Sequence, residues 1–108
     1  MESPEIDGIL SVVVARLSRA APDARIILFG SRARGLAHER SDVDILVVEP
    51  VVGSRFDEEI RLAREVNDLE VPVDVLVTSQ AMFEKWADEP CTVIYEIAHY
   101  GRVLHAPS

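Results

Sequence analysis

From Ile6 the apolar positions fall at Ile6, Ile9, Leu10, Val13, Val14 and Leu17, the i, i+3, i+4, i+7 spacing that lays one stripe along a helix. Ser3 and Pro4 stand ahead of it as a cap and a first helical residue. Ala21-Pro22-Asp23 breaks the pattern, and Arg25 to Phe29 (RIILF) is a short β-branched and aromatic run ending at Gly30, a buried strand. The chain turns at Gly30-Ser31, Ser31 to Leu36 reads as a helical turn, and a polar stretch leads into a second strand over Asp42 to Val48 (DVDILVV). Pro50, Gly53 and Ser54 mark a loop. Phe56, Ile60, Ala63, Val66 and Leu69 then predict an amphipathic helix, with an acidic first turn suited to its dipole and Pro72 as its end. Val73 to Thr78 (VDVLVT) is a third strand, Ser79 a cap, and Met82, Phe83 and Trp86 the apolar side of a short helix. Asp88-Glu89-Pro90 reads as a fresh helix start, with Ile94, Ile97 and Ala98 facing inward, Gly101 as the stop, and Val103 to His105 as a last strand. This order predicts an α/β or α+β sheet with helices packed on it.

At 108 residues, 48% hydrophobic and 28% charged, the chain fits a single domain over 1–108 with a modest core. No apolar run approaches the roughly 20 residues a bilayer demands, and no basic region followed by an apolar stretch opens the chain, so neither membrane insertion nor secretion is expected. Cys91 stands alone and can make neither an internal disulfide nor a zinc site. The expectation is a reducing, cytoplasmic setting with Cys91 in the core. Nineteen acidic residues against eleven basic ones give a net charge of -8, the wrong sign for a protein whose main partner is a phosphate backbone. Direct nucleic-acid binding is therefore not expected. Against that background Arg32, Arg34 and Arg40 form a local basic cluster.

The chemistry gathers between Leu28 and Val48, where Gly30-Ser31 is followed after ten residues by Asp42-Val43-Asp44. Gly30 carries no Cβ, so phosphate oxygens can approach the backbone, and the amides and hydroxyl that follow can donate to an anion. Two carboxylates two residues apart on a strand leave the same face and can share a hard cation, magnesium first. Asp74 breaks the apolar run Val71 to Val77, where an unpaired buried charge would cost several kcal/mol. Three such carboxylates facing a glycine turn suit a two-metal phosphoryl-transfer site. Each part also has a plainer reading: Gly-Ser as a common turn, Asp-x-Asp as caps, Asp74 as an ion-pair partner in the sheet, and Arg32 and Arg34 as solvated side chains rather than neutralisers of a triphosphate. Jointly, four fixed residues at fixed spacing arise by chance in roughly one chain per thousand of this length.

GSRARG, SDVDILVV and VPVDVLV together resemble the minimal nucleotidyltransferase family of the DNA polymerase beta superfamily, over Ile6 to Leu104. The resemblance implies a polymerase-beta-like nucleotidyltransferase fold, a mixed sheet with helices against it. It implies that Gly30 and Ser31 hold nucleotide phosphates, that Asp42 and Asp44 bind two Mg2+ ions, and that Asp74 completes the metal site and helps deprotonate the attacking hydroxyl. Arg32 or Arg34 would aid the leaving pyrophosphate. Larger members add a domain for their acceptor, so here the acceptor is expected from a partner. Stand-alone members typically act beside a HEPN-domain ribonuclease toxin, which implies an antitoxin that transfers AMP from ATP to a tyrosine of that HEPN toxin. Two other functions stay open: a non-catalytic nucleotide-binding module that neutralises a toxin by contact, and nucleotide transfer to a small molecule. Whether the chain self-associates is left open as well. Of the remaining residues, His38 stands near the DxD strand, His99 and His105 have no partner at zinc spacing, and Trp86, Tyr95 and Tyr100 are candidates for a partner surface or self-modification.

Overall fold

The computed structural model describes residues 4–35 and 42–107. Ser3, His38 and Arg40 therefore lie outside the described residues. The element order is α1 (Pro4–Ala20), β1 (Arg25–Phe29), β2 (Val43–Glu49), α2 (Arg55–Ala63), β3 (Val73–Ser79), α3 (Gln80–Ala87), α4 (Val93–Tyr100) and β4 (Arg102–His105). The four strands make one mixed sheet in the order β3-β2-β1-β4, antiparallel at β1–β2 and β1–β4 and parallel at β2–β3. Among the described residues no helix is long and apolar enough to cross a membrane.

Successive strand side chains alternate between the two sheet faces, and the core divides accordingly. Ile26, Leu28, Val43, Ile45, Val47 and Val77 pack with the α1 stripe of Ile6, Leu10, Val13 and Leu17 and with Leu62 and Val66. On the opposite face Ile27, Leu46 and Val48 pack with Phe83 of α3 and Ile97 of α4. Helices thus cover both faces. This is why the RIILF and DVDILVV runs are almost continuously apolar rather than alternating.

Two helices differ from the sequence pattern. The first is α2, which ends at Ala63, after which the backbone tightens into i→i−3 bonds such as Glu65 N to Leu62 O and Val66 N to Ala63 O. Its buried residue is Leu62, while Phe56 and Ile60 of the predicted stripe face outward. The rotation is set by the sheet edge: Glu59 accepts a 2.8 Å hydrogen bond from the Val77 amide, which fixes the side of α2 that meets β3. The second is α4, which begins at Val93 and not at Asp88-Glu89-Pro90, because Cys91 sits at φ 69, outside helical space, and the Thr92 hydroxyl caps Tyr95 N at 3.1 Å. Cys91 is exposed on that turn, which corrects its expected place in the core, and Ala98 is exposed as well.

At the far end of β2, Glu49 lies against Glu58, which is held by Arg61 through contacts of 2.7 and 2.8 Å. Burial first, and then the Glu58 neighbour, pushes the Glu49 carboxyl up from 4.5 to about 7, and its Oε2 is buried with no hydrogen-bond partner. Arg61 and the proton shared from Glu49 hold Glu58 down at about 2. The folded chain keeps the Glu49 proton where the unfolded chain has lost it, so this group's contribution falls as pH rises from 4.5 to about 7. Glu58 works oppositely, and its contribution is lost as pH falls from 4.5 toward about 2. Glu49→Gln is expected to stabilise the protein at about pH 8 by about 1 kcal/mol, after discounting for solvent screening, with little change near about pH 5. Urea unfolding of both proteins at the two pH values checks this, and a wild-type stability that is flat between them would overturn it.

Candidate active site

β1 ends at Phe29 opposite Asp44, and Asp44 lies beside Asp74 in the parallel β2–β3 register. Asp44 shares its side of β2 with Leu46 and Val48, so it leaves the sheet on the face covered by α3 and α4. Asp42 stands just ahead of β2 and is exposed. The sheet register itself thus makes one carboxylate pair, with a third carboxylate next to it.

Gly30 begins the turn after β1 with φ +75, and a side-chain carbon built there would lie 2.3 Å from Asp44 Oδ2. The glycine therefore does more than open the backbone to an anion: its bare Cα is the space the Asp44 carboxylate occupies. Residues 31–35 form tight turns, with Arg34 N bonded to Gly30 O at 3.3 Å and Gly35 N to Arg32 O at 3.4 Å. Ser31 is half-buried in them. Arg32 is only 5% exposed and engaged with other groups, which rules out the solvated reading. Arg34 is exposed and lies over the Tyr100 ring, 5.5 Å from its centroid.

The electrostatics follow from the crowding. Burial first, and then the charges of Asp74 and Asp42, push the Asp44 carboxyl above its usual range, and Asp44 and Asp74 share a hydrogen bond. Two carboxylates this close repel each other, and a cation between them would relieve the repulsion. Among the described residues no group of three or more His, Cys, Asp or Glu side chains is gathered closely enough to hold a metal ion alone. The donor set nonetheless fits a hard divalent ion, since it is all oxygen and a glycine makes room for Asp44. Asp42, water and substrate phosphates would complete the shell.

Asp74 is exposed, because β3 is the edge strand. The burial argument that singled it out in the sequence thus fails, and its register with Asp44 replaces it. On the far wall, sequence reasoning named Arg34 and Tyr100 but missed Glu96. A cavity of about 410 Å³ opens at Gly30, and Arg34, Glu96 and Tyr100 line it from the other side. Glu96 and Tyr100 belong to α4 and carry no motif, and only the packing of α4 against β1 brings them here.

A family model described as a nucleotidyltransferase domain matches residues 10–105. The fold is similar to that of a candidate nucleotidyltransferase from Sulfolobus solfataricus, with TM-score 0.57 and 23% identity over 79% of this chain and 82% of that one. It is also similar to a toxin-antitoxin structure with AMP-PNP, with TM-score 0.53 and 22% identity over 89% of this chain and 73% of that one. No curated protein matches. Both structural likenesses speak for the mixed-sheet fold expected from the sequence.

Proposed function

This chain belongs to the nucleotidyltransferase domain family, and we propose that it moves AMP from ATP to a hydroxyl of a partner protein. The observation that carries the proposal is the Asp44–Asp74 pair set in register against the bare backbone of Gly30. When bound, Mg2+ ions on Asp42, Asp44 and Asp74 would neutralise phosphate charge and acidify the acceptor hydroxyl. Asp74, the exposed member of the pair, accepts the hydroxyl proton. The acceptor oxygen bonds to the α-phosphorus as the bond to the β-phosphate oxygen breaks, and pyrophosphate departs. Ser31 and the turn amides bind phosphate oxygens, and the exposed Arg34 offsets the developing charge.

The acceptor we propose is a tyrosine of a HEPN-domain toxin, which makes this chain the antitoxin of a cytoplasmic pair. The HEPN assignment comes from the motif resemblance. The toxin-antitoxin neighbour with AMP-PNP supports a toxin partner and an adenine nucleotide. The test is intact-mass spectrometry of the purified chain and the product of its neighbouring gene after incubation with Mg2+ and ATP. A gain of one or more AMP units on the partner is expected. A stable complex without mass gain would replace the proposal with neutralisation by contact, and no complex at all would move the acceptor to a small molecule.

A further inference from the structure

Two residues along from the carboxylate pair, the paired positions of β2 and β3 change from Asp44 and Asp74 to Leu46 and Leu76. There the same sheet face opens into an apolar cavity of about 490 Å³, walled by Val52, Met82, Trp86 and Val93. Of Met82, Phe83 and Trp86 on the apolar side of α3, only Phe83 is buried, while Trp86 is half-buried and Met82 is 44% exposed. Val93 is 62% exposed, and Val51, which lines an adjoining pocket sharing Val52 and Gly53, is 84% exposed. Apolar side chains gathered like this mark an interaction surface more often than scattered ones do.

Three observations describe what covers it. One truncated leucine leaves about 150 Å³, so the groove takes two or three apolar side chains, the number one helix face presents at i, i+3/i+4 and i+7. Acidic side chains stand near it: Asp88 and Glu89 are exposed between the lining residues Trp86 and Thr92, and Asp57 and Glu58 line an adjoining pocket that shares Val52 and Gly53 with this one. The cations there are engaged, Arg55 with Glu59, Arg61 with Glu58 and Lys85 over the Trp86 ring. Finally, Val93 and Ile97 line both this groove and the cavity at Gly30, so whatever sits here borders the Gly30 turn.

We infer that the groove docks an amphipathic helix of the acceptor protein, with two or three apolar side chains inserted and lysine or arginine on its flanks. The inference rests on the proposed transfer for calling that protein the acceptor. Docking in the groove would hold an acceptor hydroxyl of the same protein over Asp74.

Trp86 is the chain's sole tryptophan, so its emission reports on the groove directly. The probe is a synthetic helical peptide with leucines at i, i+3, i+4 and i+7 and lysine flanks, titrated without nucleotide or metal. A saturable blue shift with Kd on the order of 10 μM is expected, weakened about tenfold by glutamate flanks and at least about tenfold by Met82→Glu. Met82 is the third residue after the Ser79 cap, where glutamate favours the helix, so that variant folds; far-UV circular dichroism confirms it, and Met82→Leu should restore binding. An absent shift, equal binding of the glutamate-flanked peptide, or a shift with protein concentration alone, which would mean a second copy in the groove, overturns the inference. None of these results touches AMP transfer, and bound peptide without transfer to any partner removes the proposed function and leaves the groove.

Discussion

Asp44→Asn is expected to abolish nucleotidyl transfer while making the metal-free protein more stable. The two effects have one cause. Asp44 is pressed between partial burial and the charges of Asp74 and Asp42, which raise its pKa, so its ionised form is a cost to the fold at neutral pH. The folded protein binds this proton more tightly than the unfolded chain does, and its contribution to stability therefore declines as pH rises from 3.8 through the raised folded value. Asparagine keeps the shape and the hydrogen bond to Asp74 but carries no charge. Transfer should fall by about a thousandfold or more, roughly 4 kcal/mol of transition-state stabilisation, because a pair of anionic oxygens has been halved where a cation must sit. Thermal unfolding without divalent ions should show the variant melting above wild type, and added Mg2+ should raise the wild-type midpoint alone. A variant that melts lower, or keeps transfer within about tenfold, would remove Asp44 from this role.

The order of helices and strands was legible because a 3.6-residue stripe and short β-branched runs are local signals, and Leu17 or Ile45 is buried where the pattern puts it. Phe56 was misplaced because a residue without periodicity, Glu59, turns α2 by bonding the edge amide of Val77. Cys91 was misread because its left-handed backbone belongs to a turn whose shape depends on how α3 and α4 pack. The site splits in the same way. Gly30, Asp42 and Asp44 were visible through spacing, while the fit of the Asp44 carboxylate against Gly30 required the β1–β2 register. Asp74 was singled out by its interruption of an apolar run, but it is exposed on the edge strand, and what sets it apart in the structure is its register beside Asp44. Arg32 looked equivalent to Arg34 in sequence, and the turn buries one and exposes the other.

Two glycines in that turn separate backbone strain from the geometry of the site. Gly30 and Gly35 have nearly the same conformation, φ +75 and +71, so alanine at either should lose about 1 kcal/mol from an unfavourable left-handed backbone. At Gly35 nothing lies within 4 Å of the added carbon, so Gly35→Ala should show that cost alone. At Gly30 the added carbon meets Asp44 Oδ2 at 2.3 Å, a distance no contact tolerates, and the carboxylate must leave its place beside Asp74. Gly30→Ala is therefore expected to lose about a hundredfold or more in transfer, since a displacement of about 1 Å in a reacting constellation costs that much. The steric origin is testable by a double-mutant cycle. Asp44→Ala removes the atoms that collide, so Gly30→Ala should cost less stability in that background than in wild type, with a coupling of about 1 kcal/mol. Chemical unfolding of the two single variants and the double variant measures it. Additive losses would mean that the turn moves to admit the methyl group, and that Asp44 keeps its position without the glycine.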